Sequence, residues 1–77
     1  MKEGTRKYPR MEKLTHRRQV MNLTREELGE RSGVSKYVIA EYELGGRIPK
    51  MDVIAKIAAV LDCTVDELIE QPAEASV

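Results

Sequence analysis

Tryptophan and phenylalanine are absent from this 77-residue chain, and three tyrosines are its only aromatic residues. Its core must therefore be assembled from Leu, Ile, Val, Met and Ala, which suits helix-on-helix packing. Cysteine is nearly absent too. Cys63 stands alone, cannot close an internal disulfide, and lies in an apolar stretch that predicts a buried thiol. With one His16, one cysteine and no glycine-rich phosphate loop, there is neither a nucleophile–base pair nor a metal cage. No catalytic residue, metal site or cofactor is assigned, and the chain is not read as an enzyme. No apolar run approaches the roughly 18 residues of a membrane span, and no signal-peptide pattern opens the chain. A soluble cytoplasmic protein without a membrane partner is expected. Strand-period alternation, internal repeats and low-complexity segments are missing as well.

Net charge is also lacking, since 13 Lys and Arg balance 13 Asp and Glu. The balance hides a division. Residues 1–36 hold ten basic against five acidic side chains, net +5, and residues 37–77 hold three against eight, net −5. Such a split allows one basic face for phosphates and an acidic back.

What is present centres on Thr24 to Glu43, TREELGERSGVSKYVIAEYE. Thr24 with Glu27 is a capping box opening a helix anchored by Leu28. Gly33 suits the left-handed backbone of a helix end. Val34 turns inward, Ser35 caps a second helix, and Ile39 and Tyr42 fall three apart on its buried side. Gly29 is a small residue where two steeply crossed helices would touch. Two helices joined by a short Gly-containing turn are the helix-turn-helix signature.

Around this centre, residues 1–10 read as a flexible basic arm, residues 11–70 as the folded domain and residues 71–77 as a polar tail. A first helix is predicted over about Met11 to Met21, with Met11, Leu14, Arg18 and Met21 on one stripe. A fourth runs from Met51 to Leu61 with Met51, Ile54, Ile57, Ala58 and Leu61 inward. Thr64 and Glu67 form a second capping box for a short last helix ending near Glu70. Its Val65, Leu68 and Ile69 are the expected seam of a homodimer. A chain this small buries only about 60–65 % of its unfolded surface, so a second copy would help it.

From Leu14 to Leu68 the chain resembles the Cro/repressor-type (XRE-like) helix-turn-helix family of transcriptional regulators. The matching residues are Leu23-Thr24, Glu27-Leu28, Gly33-Val34-Ser35, Ile39, Glu43, Gly45 and Pro49. Ile54, Lys56-Ile57-Ala58, Leu61 and Asp66-Glu67-Leu68 continue the same register. The resemblance implies a compact all-α, five-helix, repressor-like domain whose third helix enters the major groove of double-stranded DNA. It also implies an ion pair between Arg18 and Glu43 that clamps the first helix to the third. By position, Ser35, Lys36, Tyr37, Val38, Ala40 and Glu41 would meet base edges. Lys36 can donate to guanine, Glu41 can accept from cytosine, and Ala40 or Val38 can touch a thymine methyl. Thr24 and Arg25, the latter as a mobile charge, and Gly46, Arg47 and Lys50 would meet phosphates. The chain departs from the family where Arg25 replaces a common Gln and Gly29 a common Ala, and Arg17 takes an often apolar position. The implied function is a sequence-specific regulator, a repressor, acting as a homodimer. The alternative is a protein-interaction module on the same fold, an antitoxin or anti-repressor with a regulatory protein partner, for which exposed Leu44 beside Glu41 is the best sign.

Overall fold

The structure, a computed structural model, describes residues 8–69. The first seven residues of the expected arm, the end of the last predicted helix at Glu70 and the tail 71–77 lie outside the described residues. Four α-helices follow in order: α1 Glu12–Val20, α2 Arg25–Ser32, α3 Lys36–Leu44 and α4 Met51–Val60. No strand occurs among the described residues. Packing joins α2 to α3 and to α4, and α1 to α3.

The boundaries of α2 and α3 have local causes. Thr24 Oγ1 accepts from the Glu27 amide at 3.0 Å while Glu27 Oε1 accepts from the Thr24 amide at 2.9 Å, closing the capping box. α2 stops at Gly33, whose φ of 78° is the left-handed cap. Ser35 Oγ then accepts from the Tyr37 amide at 3.1 Å and restarts the chain as α3. Gly45, at φ 82°, ends α3, and the Gly46 amide donates back to the Glu41 carbonyl at 2.8 Å.

The core is aliphatic with one tyrosine. Leu14, Leu28, Ile39, Tyr42, Ile54, Ile57, Leu61 and Leu68 are almost completely buried. Tyr42 keeps its hydroxyl satisfied by accepting from the Lys50 amide at 3.3 Å, which ties α3 to the start of α4. Tyr8, within the expected arm, already donates its amide to the Gly45 carbonyl at 3.0 Å.

Four expectations change. The fifth helix is a hydrogen-bonded turn over residues 65–69 instead, so the described residues hold four helices. Its backbone bonds run only three residues apart, from Glu67 to Thr64 and from Leu68 to Val65, although the Thr64–Glu67 capping box does form. A single turn fixes many dihedrals for few bonds, so it closes locally without an α-helical ladder. Leu68 fills the chain's own core, which removes it from the expected dimer seam and leaves half-buried Val65 and Ile69. Met21 and Met51, placed on inward stripes, are exposed because they sit at helix ends, beyond the turns that face the core. Cys63, expected buried, is half-buried.

Gly29 marks the crossing of α2 against the turn. A Cβ built there would lie 2.6 Å from the Val34 carbonyl oxygen and 3.3 Å from the Lys36 amide nitrogen, both backbone atoms that cannot swing aside. Alanine is favoured over glycine in a helix by about 0.8–1.0 kcal/mol, but overpacking costs about 1–3 kcal/mol. Gly29→Ala is therefore expected to destabilise the domain by about 1 kcal/mol or more in a urea titration. An unchanged or raised midpoint would show that the crossing has room to spare.

Candidate nucleic-acid interface

Burial of Ile39 and Tyr42 decides which way α3 faces. With those two inward, Lys36, Tyr37, Glu41 and Leu44 project into solvent, Tyr37 with 71 % of its surface exposed. Lys36 Nζ stands 5.4 Å from the Tyr37 ring centroid, so a cation–π contact pre-positions both side chains on the exposed face. Ser35 caps the helix at the front of this face, and Ala40 lies half-buried within it. Val38 does not belong to it: the side chain is half-buried and packs against the core, because an i,i+4 step sets it beside the buried Tyr42.

Glu43 is the buried member of α3. Its carboxylate accepts from Arg18 Nε at 2.8 Å and Arg18 Nη2 at 3.2 Å, a bidentate clamp between α1 and α3. Arg18 Nη1 donates to the Leu23 carbonyl at 2.9 Å, which pins the α1–α2 loop as well. A third donor also reaches Glu43, since Arg25 Nε lies 2.8 Å from Oε1. Arg25 is thus not the mobile charge expected at the start of α2. A buried carboxylate attracts any guanidinium that can reach it, and the turn brings Arg25 within reach.

The phosphate-side residues are similarly constrained. Arg47 pairs through Nε with Glu41 Oε1, and both side chains are about half exposed. The Gly46 amide, expected to meet a phosphate, is spent on the Glu41 carbonyl, because the end of a helix needs donors for its last carbonyls. Lys50 is exposed at the N-cap of α4. The Thr24 amide is taken by Glu27, leaving its hydroxyl proton as the donor this residue can offer.

Arg17, which the sequence marks only as a departure from the family, has a structural role. Arg17 Nε donates to the Leu61 carbonyl at 3.0 Å and Nη2 to the Asp62 carbonyl at 3.1 Å, capping the end of α4 across 44 residues of sequence. Its departure from an apolar family position was the visible signal, though nothing in the spacing named the acceptor. Arg17 shares an open groove with His16, Cys63 and Glu67, behind α1. Burial pushes the Cys63 thiol above its ordinary range, with Arg17 pulling partly the other way, so the thiol stays protonated near neutral pH. Among the described residues no group of three His, Cys, Asp or Glu side chains could hold a metal ion, and no helix is long and apolar enough to cross a membrane.

A capped helix, a glycine turn and a second helix with an exposed polar face over a buried apolar one define a helix-turn-helix domain. The chain belongs to the helix-turn-helix family, whose sequence model matches residues 16–68. It is similar to the cryptic phage CTXphi transcriptional repressor RstR of Vibrio cholerae, with 33 % identity over 57 residues. That match covers 74 % of this chain and 51 % of RstR, so the chain spans about half the length of the curated relative. In structure it is similar to the restriction-modification controller protein C.AhdI from Aeromonas hydrophila. The TM-score is 0.72 at 29 % identity, covering 75 % of this chain and 88 % of that one.

Proposed function

We propose that this protein is a sequence-specific regulator of transcription, a repressor, that binds double-stranded DNA as a homodimer with α3 in the major groove. The observation that carries this reading is the orientation of α3: Ile39 and Tyr42 are buried while Lys36, Tyr37 and Glu41 project into solvent. Family membership and the likeness to a repressor and a controller protein support it. Ser35, Lys36, Tyr37, Ala40 and Glu41 form the base-reading face, with Glu41 released from Arg47 on contact. Thr24, Arg25, Arg47 and Lys50 take phosphates. Two copies reading half-sites about 34–36 Å apart, one helical turn, would recognise a two-fold operator. A cytoplasmic location is part of this reading, and no helix among the described residues is long and apolar enough to cross a membrane.

Selection from random duplexes tests the proposal. Enrichment of a two-fold motif is expected, and Lys36→Ala should weaken binding to it by about 1–3 kcal/mol while relaxing preference at one base of each half-site. Failure to enrich any motif would overturn the reading. Exposed Leu44, Ile48 and Met51 favour a second reading, a protein-interaction module such as an antitoxin or anti-repressor. That module would capture a protein partner and leave every duplex unshifted.

A further inference from the structure

The two arginines on Glu43 are not equivalent. Arg18 spends its fork indoors, on both carboxylate oxygens and on the Leu23 carbonyl, with its side chain 11 % exposed. Arg25 makes one bond, from Nε to Oε1, and its side chain is 37 % exposed. No further hydrogen bond of Arg25 occurs among the described residues, so its two Nη groups are left for an acceptor outside the protein. Glu43 itself is fully buried, so its carboxylate is a fixed anchor rather than a swinging one. One carboxylate shared by two guanidiniums also leaves the cluster with a net charge of +1, which neither partner neutralises.

We infer that Glu43 is a positioning residue for DNA binding: by holding Arg25 through Nε, it fixes the outer edge of that guanidinium toward a phosphate oxygen of the duplex. The inference rests on the DNA-binding function proposed above. A guanidinium already held by one edge loses less rotamer freedom when the other edge meets an acceptor, which a lysine ammonium cannot imitate. The same carboxylate thereby serves stability through Arg18 and binding through Arg25.

Duplex affinity across a salt series separates the two roles, with the folded fraction followed by circular dichroism. Arg25→Ala is expected to bind the selected operator and random duplexes roughly tenfold more weakly, the value of one charge-assisted hydrogen bond. The slope of log K against log salt should shrink by about 0.9 per Arg25 engaged. Arg25→Lys should restore the slope but not the affinity. Glu43→Gln, corrected for its folded fraction, should weaken binding about as much as Arg25→Ala, and should add nothing in the Arg25→Ala background. If the Glu43→Gln and Arg25→Ala losses simply add, or if Arg25→Lys binds as well as the wild type, the positioning role is wrong. That last comparison holds even if Glu43→Gln fails to fold. A wild-type protein that selects no motif would instead overturn the DNA-binding reading itself, before any variant is compared.

Discussion

Glu43→Ala is expected to lower the free energy of unfolding by about 3–5 kcal/mol, more than any change to an exposed charge. The substitution leaves Arg18, 11 % exposed, without either carboxylate oxygen and with only the Leu23 carbonyl as partner. It also releases Arg25 and opens a small void among α1, α2 and α3. Removing one side of a buried pair is costly because the remaining charge stays desolvated. A domain of this size holds only about 4–10 kcal/mol in total, so the variant should be largely unfolded at 37 °C. Its melting temperature should fall by more than about 12 °C. Glu41→Ala gives the internal control: it breaks the half-exposed pair with Arg47 and should cost about 0–1 kcal/mol. Equal losses for the two variants would mean that Glu43 clamps nothing.

Affinity for operator DNA is expected to fall about 10³-fold between 50 and 200 mM salt. Each chain places Arg25, Arg47 and Lys50 on the proposed phosphate path, so a dimer brings about six cations. At about −0.9 per phosphate neutralised, the slope is near −5. Glu41 holds this figure at the low end of the range for such proteins. Its carboxylate occupies Arg47 Nε and presents a negative charge beside the backbone. Glu41→Gln should therefore raise affinity for random duplexes about fivefold, as Arg47 no longer has to leave a carboxylate to reach phosphate and a negative charge beside the backbone is removed. Discrimination at the base under residue 41 should fall at the same time, since an amide accepts less strongly than a carboxylate. Titrations on operator and random duplexes separate these effects. A Glu41→Gln protein that binds random DNA no more tightly would show that Arg47 takes no part in the phosphate path.

Local features are legible in the sequence because their partners are neighbours along the chain. The Thr24–Glu27 box, the Gly33 turn, the Ser35 cap and the alternation of Ile39 and Tyr42 with the exposed side of α3 each involve residues two to four apart. Spacing alone fixes such contacts, and the chain by itself determined an all-α domain and the face that α3 shows to solvent. The tertiary structure decided what happened to the charges and the helix ends. Arg25 on Glu43, Arg47 on Glu41 and Arg17 on the carbonyls ending α4 are pairings that depend on how the elements pack, and long flexible side chains accept whichever acceptor packing brings near. Packing likewise drew Leu68 into the core and left residues 65–69 as a single turn, because a burial contact there outweighs the propensity of so short a segment to form a helix.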